Sequence, residues 1–383
     1  MAEPSSPAYI SPARIDAPKV SVLVPICNVE RYLEECLDSL AAQSFTDFEV
    51  LCINDGSTDG SLAIIHRYME ADARFRVIDK PNSGYGASMN MGLANAIGEY
   101  IAILESDDFF EPNALELLVD VAECNQSDVV KGDFYLYWST PQECDELFRI
   151  VDEQEVGRTV RPIDDLAIFF RKPSIWSALY RTSFLKGNGI DFLETPGASY
   201  QDAGFNFKVW ASAARATFIA DPILHYRQDN EKSSVNSAAK VYCVCDEYAS
   251  MASFVNDRLD GDPRLMGILE SMKFDSYMWN YDRLSGDLRG DFIVRASSEF
   301  ADDLDKGLVD FRLFDPWTAA DLRLLASDPE RFCELHERAA GGGALGTVRR
   351  LLALGGPALV LKTVAHKLGH KSIRRLNARG GAA

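Results

Sequence analysis

The chain has 383 residues, 47% of them hydrophobic and 25% charged. That composition supports a substantial buried core and argues against disorder throughout. Lys and Arg number 39 against 58 Asp and Glu, a net charge of −19, which argues against a general nucleic-acid binder. The charge is unevenly spread: from Gly341 to Ala383 there are eight basic residues and no acidic ones, which leaves −27 on the 340 residues before them. Met1 to Pro18 holds several Pro and Ser residues and no apolar core segment, so it reads as a loose leader rather than an export signal. No uninterrupted apolar run reaches the roughly 18 residues of a conventional membrane-spanning helix. Eight scattered cysteines read as reduced and mostly buried, and Cys243-x-Cys245 has no second pair at zinc-site spacing.

In chain order, Val20 to Pro25 is the short β-branched run of a buried parallel strand. Leu33, Cys36, Leu37 and Leu40 then recur at the spacing of an amphipathic helix. Phe48 to Ile53 is a second strand, followed by NDGSTDGS, where Asp59 can cap a helix with Leu62, Ile65 and Met69 on one face. Phe75 to Ile78 is a third strand, and the turn PNSGYG leads into a helix. Tyr100 to Leu104 is a fourth, followed by ESDD and a helix with Leu115, Leu118, Val119 and Ala122 on one stripe. This alternation predicts right-handed βαβ units and an α/β fold, with a largely parallel sheet and flanking helices. NDGS, NSGYG and ESDD each follow a strand, and the crevice at strand carboxyl ends is where open α/β sheets bind ligands.

Beyond Val130 the rhythm changes. Residues 139–165 are polar and irregular, Ser174 to Phe184 and Thr217 to Arg227 look strand-like, and 240–338 read as a mainly helical C-terminal region. Phe274, Tyr277, Trp279 and Tyr281 read as core there. The predicted organisation is a leader over 1–18, an α/β domain over 19–235 with halves meeting at about 130, a helical region over 236–340 and a basic amphipathic tail over 341–383. Gly341 to Gly343 form a hinge before that tail. Leu351 to Leu361 is apolar but only 11 residues long, and Gly355-Gly356-Pro357 breaks it. Flanked by cations, an extended tail of this kind suits peripheral contact with an anionic membrane; the alternative is a helix packed back onto the acidic body.

Glu105-Ser106-Asp107-Asp108 places three carboxylates within four residues at a strand end. Like charges so close need a cation or ligand donors to compensate them. An oxygen-only set suits Mg²⁺ or Mn²⁺. In isolation the segment is equally an acidic loop capping the next helix; its place beside two other polar strand ends favours a site. Neither G-x-G-x-x-G nor G-x-x-x-x-G-K is present, which counts against hydride transfer and ATP hydrolysis.

VSVLVPICN, FEVLCINDGSTDGS and PNSGYGASMNMGLANAIGEYIAILESDDFFEP, in this order, resemble the nucleotide-sugar half of inverting family 2 glycosyltransferases, which have the Rossmann-like GT-A fold. The resemblance is detailed from Lys19 to Glu123 and looser through WSALYRTSFL, YQDAGFNFKVW and ILHYR to Arg227. It implies a nucleotide-diphosphate sugar donor, usually a UDP-sugar, and a saccharide or lipid-linked acceptor in cell-surface polysaccharide synthesis. The expected place is cytoplasmic, or peripheral on the inner membrane face. The resemblance further implies that Pro25, Cys27 and Asn28 line the nucleotide pocket, that Asp55 bonds the base, and that Asn82 and Gly84 sit beside nucleotide or sugar. Asp107 is then the metal ligand, supported by Glu105, Ser106 and Asp108. His225 is a further metal or diphosphate contact, or else a satisfied histidine at a strand end.

Gln201-Asp202 stands where the family commonly has Glu-Asp, which makes Asp202 the implied base in an in-line, inverting displacement. The chain departs from the pattern at Cys27, where many members carry an aromatic, at Glu105 and at Gln201. Trp176 and Tyr180 fall where an acceptor would approach, but read first as buried aromatics. Two rivals are weaker. A sugar-phosphate nucleotidyltransferase would need a Gly-rich, basic triphosphate loop where VPICNVERYLEE stands. An inactive binding protein would need no base, yet both Asp107 and Asp202 are present.

Overall fold

The structure, a computed structural model, describes residues 9–12, 16–197, 199–230, 240–340 and 343–369. It divides into two compact units, Met1–Asp165 with Lys172–Val235, and Leu166–Arg171 with Asn236–Ala383. The first is an α/β unit, with β1 (Tyr9–Ile10), β2 (Val20–Ile26), α1 (Glu30–Ala41), β3 (Phe48–Asp55), α2 (Ser61–Ala71), β4 (Phe75–Lys80), α3 (Tyr85–Asn95), β5 (Tyr100–Ile103), β6 (Phe109–Phe110) and α4 (Ala114–Asn125). It continues with β7 (Val129–Trp138), β8 (Cys144–Phe148), β9 (Thr159–Val160), β10 (Ala178–Arg181), α5 (Thr182–Asn188), α6 (Gln201–Ser212) and β11 (Ala216–Arg227).

These strands form one sheet in the order β1-β4-β3-β2-β5-β10-β7-β11-β6, with β8 beside β7 and β9 beside β11. The expected parallel core is β4-β3-β2-β5. Beyond it the sheet is mixed, because β10 inserts antiparallel to both β5 and β7, while β7 and β11 run parallel. The ten-residue β7 is not legible from periodicity, since Lys131 and Asp133 interrupt its apolar run. Both are buried in specific bonds: the Lys131 ammonium donates to the Ser174 carbonyl, and an Asp133 oxygen accepts Ile150 N at 2.7 Å and Val151 N at 3.0 Å. Residues 182–184, at the end of the stretch expected to be strand-like, instead open α5. Asp59 ties two helix starts together, accepting Ser61 N at 3.0 Å and Glu30 N at 3.1 Å.

The second unit is helical: α7 (Cys243–Arg258), α8 (Pro263–Arg283), α9 (Gly286–Asp305), α10 (Pro316–Ser327), α11 (Pro329–Ala340) and α12 (Gly343–Gly369). Phe274, Tyr277 and Tyr281 lie in its core, whereas Trp279 is 53% exposed and carries the Arg283 guanidinium 4.0 Å over its ring. The described part of the basic tail is not extended. It forms α12, which buries Leu351 and Leu359, pairs Arg350 with Asp321 at 2.8 Å, and packs on α10 and α11. Gly355 and Gly356 leave helical geometry just before Pro357, as the sequence implies. The apolar segment is nevertheless longer than the expected run: Leu345–Leu368 spans 24 residues, enough to cross a membrane by length and composition alone. Gly341 and Gly342 of the expected hinge, most of the leader, and Lys371, Arg374, Arg375 and Arg379 lie outside the described residues.

Candidate active site

The parallel register brings Pro25 beside Ile53 and Ile26 beside Asn54, so the segments that follow β2 and β3 leave the sheet together. Pro25 itself is a buried strand residue, and Cys27 and Asn28 are the exposed part of VPICN. Asn28 has φ 54°, a left-handed conformation that Asn tolerates better than most residues. Its side-chain oxygen accepts Thr58 N at 2.7 Å, and its own N–H donates to Ser57 Oγ at 3.1 Å, which fixes the NDGST loop. Asn82 reaches the same corner, donating to the Asp55 carbonyl at 3.0 Å and to Cys27 Sγ at 3.4 Å. Burial first, and then the Asp55 charge, push the Cys27 thiol up, so it stays protonated and neutral.

Asp55 is buried and organises the next turn. One carboxylate oxygen accepts the Lys80 ammonium and Ser83 N at 2.8 Å; the other accepts Gly84 N at 3.0 Å. Each oxygen has two lone pairs, so a single acceptor direction on Oδ2 is left by these bonds. Gly84 (φ 92°) and Gly56 (φ 66°) are required sterically as well as conformationally. A Cβ would lie 2.9 Å from the Thr195 carbonyl at Gly84, and 2.7 Å from Asn82 N at Gly56.

Thr195 belongs to the loop that delivers Asp202. Gln201 is buried and holds this loop through its amide, which donates to Thr195 Oγ1 at 2.8 Å and the Gly197 carbonyl at 3.2 Å while its oxygen accepts Ser199 N at 2.6 Å. A glutamate could accept from Ser199 N and the Thr195 hydroxyl but could not donate to the Gly197 carbonyl. Asp202 follows in the first turn of α6, where the helix N-terminus favours a carboxylate and Ala203 N donates at 2.8 Å. Desolvation outweighs both and raises Asp202 to about 6.

At the end of β5, burial raises Glu105 to about 8, although the Tyr85 hydroxyl donates to it at 2.6 Å; the charges of Asp107 and Asp202 add to the rise. Asp108 is likewise held well above the usual carboxylate range by burial and by Asp107. Its Oδ1 accepts Arg227 N at 2.8 Å, while Oδ2 is buried with no hydrogen-bond partner among the described residues. Asp107 accepts Asn230 Nδ2 at 2.9 Å. Ser106 is buried between these carboxylates in sequence. Asp202 thus comes close enough to the ESDD turn, a distant segment, for its charge to raise Glu105, and this shared recess holds Glu105, Asp108 and Asp202 above the usual carboxylate range.

His225 does not join it. Its Nδ1 meets Asp145 at 2.7 Å and its Nε2 meets Glu111 at 2.8 Å, while its ring stacks on Phe109 at 4.3 Å. Neither ring nitrogen is left for a cation beside Asp107. The functional residue of HYR that sequence reasoning passed over is Arg227, two residues on and so on the same strand face. Arg227 Nε donates to the Asp107 carbonyl at 2.9 Å, and its guanidinium pairs with Glu35 and lies 3.6 Å from Asp229. Tyr85, within the quoted NSGYG turn, reaches Glu105. Trp176 and Tyr180 are buried, as read first.

Residues 21–184 match the family described as Glycosyl transferase family 2. The chain is 31% identical over 217 residues to the uncharacterized glycosyltransferase EpsJ of Bacillus subtilis, which is 55% of this chain and 62% of that protein. It is 30% identical over 225 residues to the poly(ribitol-phosphate) beta-N-acetylglucosaminyltransferase TarS of Staphylococcus aureus, 57% of this chain and 37% of that one. The chain thus spans less than two thirds of the length of these curated relatives. Among solved structures, S. aureus TarS 1-349 in complex with UDP-GlcNAc aligns with a TM-score of 0.66 at 21% identity, covering 84% of this chain and 91% of that chain. This last likeness is one of fold.

Proposed function

We propose that the chain, whose residues 21–184 match glycosyl transferase family 2, transfers a sugar, with inversion, from a UDP-sugar to a saccharide or lipid-linked acceptor in cell-envelope polysaccharide synthesis. The observation that carries the reading is the shared recess, in which Asp202 and the strand-end carboxylates feel one another's charge. Simple binding does not call for a desolvated carboxylate of this kind, whereas a base needs one with a raised pKa.

Cys27, Asn28, Asn82 and the last acceptor direction of Asp55 face the nucleotide, with Pro25 supporting the corner from within the sheet. The turn at Gly84 brings backbone close to the donor without a Cβ in the way. Asp202 accepts the proton of the acceptor hydroxyl as that oxygen attacks the anomeric carbon from the side opposite the diphosphate. Ionised above about pH 6, it does so near neutral pH. Arg227 braces the Asp107 backbone so that the acidic turn keeps its shape.

The residues fit a hard divalent cation. Their donors are all oxygen, and one buried Asp108 oxygen lacks a partner among the described residues. Among the described residues no three His, Cys, Asp or Glu side chains form a preformed cage there, which suits an ion held by one or two carboxylates and completed by phosphates. Asp107, supported by Glu105, Ser106 and Asp108, would hold Mg²⁺ or Mn²⁺, and such an ion supplies charge neutralisation for the departing diphosphate. The test is nucleotide release from a panel of UDP-, GDP- and dTDP-sugars with and without chelator. Slow hydrolysis of a UDP-sugar that stops on chelation is expected. No release from any sugar nucleotide would overturn the transferase reading, and full activity in chelator would remove the cation.

The same reading includes contact with an anionic membrane through α12. Leu345, Val348 and Leu352 before the kink, and Leu361, Val364 and Leu368 after it, are exposed at helical spacing beside Arg349, Lys362 and Lys367. Such a helix lies in the interface with its apolar stripe in the acyl boundary. Flotation with anionic vesicles should be lost when Leu345, Leu361 and Leu368 are changed together to Ser. Equal flotation of both proteins would reject this contact.

A further inference from the structure

Cations buried in the α/β unit generally meet an acid: Arg76 pairs with Glu49, Lys80 with Asp55, Lys208 with Asp191 and Arg227 with Glu35. Lys172 does not. Its ammonium lies 4.7 Å from the ring centre of Tyr226, 5.5 Å from Phe148 and 5.9 Å from Phe134. Among the described residues it makes no ion pair and no hydrogen bond. Ring faces attract an ammonium, but they do not replace oxygen acceptors for its three N–H groups, so its desolvation is only partly offset.

The cage borders the recess. Burial lowers the Lys172 pKa, and the charges that oppose this are those of Asp202 and then Asp108. Tyr226, one wall of the cage, is held protonated by burial and by the charges of Asp108, Asp107, Asp202 and Glu105. Trp176 stacks on Tyr226 at 4.6 Å and so fixes that wall.

We propose that Lys172 and its aromatic cage form an acceptor subsite for an anionic group, a phosphate ester or a carboxylate carried by the saccharide acceptor. This deepens the transferase reading and rests on it for the direction from which the acceptor comes. Three features select this ligand class. An ammonium without an acid partner gains most from a charged oxygen, through a charge-assisted hydrogen bond. The carboxylates whose charges it feels are Asp202 and then Asp108, which puts it within electrostatic reach of the base. Flat aromatic walls suit the apolar faces of a sugar or polyol on either side of the anion.

The test labels the lysines of the full-length protein with an acylating reagent and reads each by mass spectrometry. A lysine of lowered pKa is reactive, and a bound anion shields it. Glycerol 3-phosphate or glucuronate should slow labelling of Lys172 at least about fivefold, a change that fractional occupancy of one site accounts for, while exposed Lys306 is unaffected. Protection by only one of the two identifies the ester or the carboxylate. Glucose should not protect. By calorimetry, Lys172→Met should bind the protecting anion about tenfold more weakly, the loss of one charge-assisted bond, and Lys172→Arg within about threefold of the unaltered protein. Protection by UDP but by neither anion, equal protection by glucose, or no protection by any would overturn the subsite. UDP binding to the unaltered protein, measured alongside, separates the two ideas. Binding of UDP without anion protection sinks the subsite and leaves the transferase; anion protection without UDP binding does the reverse for the donor reading.

Discussion

Each unit buries a group of carboxylates, and the two groups are compensated in opposite ways. In the helical unit Lys273 sits 2.6 Å from Asp303, 3.4 Å from Glu299 and 3.9 Å from Glu270. Tyr277 donates to one oxygen of Glu299, and Arg295 reaches the other at 2.8 Å. Burial would lower the Lys273 pKa, but Glu270 and Asp303 outweigh it and keep the ammonium charged. In the α/β unit, Arg227 stands beside Asp107 and Asp108 yet spends its guanidinium on Glu35, Asp229 and the Asp107 carbonyl. The ESDD carboxylates share raised pKa values and an unpartnered oxygen with Glu270 of the helical unit, but among the described residues no ammonium or guanidinium pairs with them, whereas Glu270 has Lys273. A cluster closed by the protein's own cation holds a fold together; one left open is suited to a ligand that brings the compensation.

Substitutions should separate the two. Asp202→Asn removes proton-accepting capacity in the open recess and should lower turnover about 10²–10⁴-fold while UDP affinity changes little. In the unaltered enzyme the rate should rise as pH passes about 6, where Asp202 loses its proton, and stay level above it. A normal rate for the variant would move the base elsewhere. In the closed cluster, Lys273→Met leaves Glu270 and Asp303 without their cation and Glu299 with Arg295 as its cation, and should destabilise the chain by about 3–5 kcal/mol in denaturant unfolding.

The open cluster should respond with the opposite sign. A carboxyl whose pKa rises on folding costs stability progressively as pH climbs from its unfolded value of 4.5 to about 8. Glu105→Gln keeps an acceptor for the Tyr85 hydroxyl and removes that charge. Metal-free protein should therefore gain about 1–3 kcal/mol at pH 8, and almost nothing at about pH 4, where the native carboxyl is already neutral. Unchanged melting at both values would mean the recess is better solvated than its geometry implies. The smallest effect concerns Gln201→Glu. The substitution restores the commoner family residue but removes the bond donated to the Gly197 carbonyl, and it should cost about 1–2 kcal/mol with a fall in turnover. A neutral outcome would show that the loop before Asp202 rearranges freely.

Some of this molecule was readable in residue order. The four strands of the parallel core and their helices announce themselves because each buries a contiguous or periodic set of apolar side chains, visible within a short window. The polar clusters after those strands were readable for the same reason, since chain order alone puts them at the carboxyl edge. Partner choice was not readable. Lys131 and Asp133 hide β7 because a buried charge looks like a break until its distant partner is known. His225 and Arg227 share a strand face, and nothing local says that one turns to Glu111 and Asp145 while the other braces the acidic turn. The amide of Gln201, the rings around Lys172 and the seat of α12 on α10 and α11 are of the same kind. Hydrophobic period is a property of neighbours in the chain, so the sequence by itself determined the parallel core and the position of its polar edge. Compensation of buried charge joins residues far apart in the chain, so only the tertiary structure decided which carboxylates are closed by protein and which are left open to a ligand.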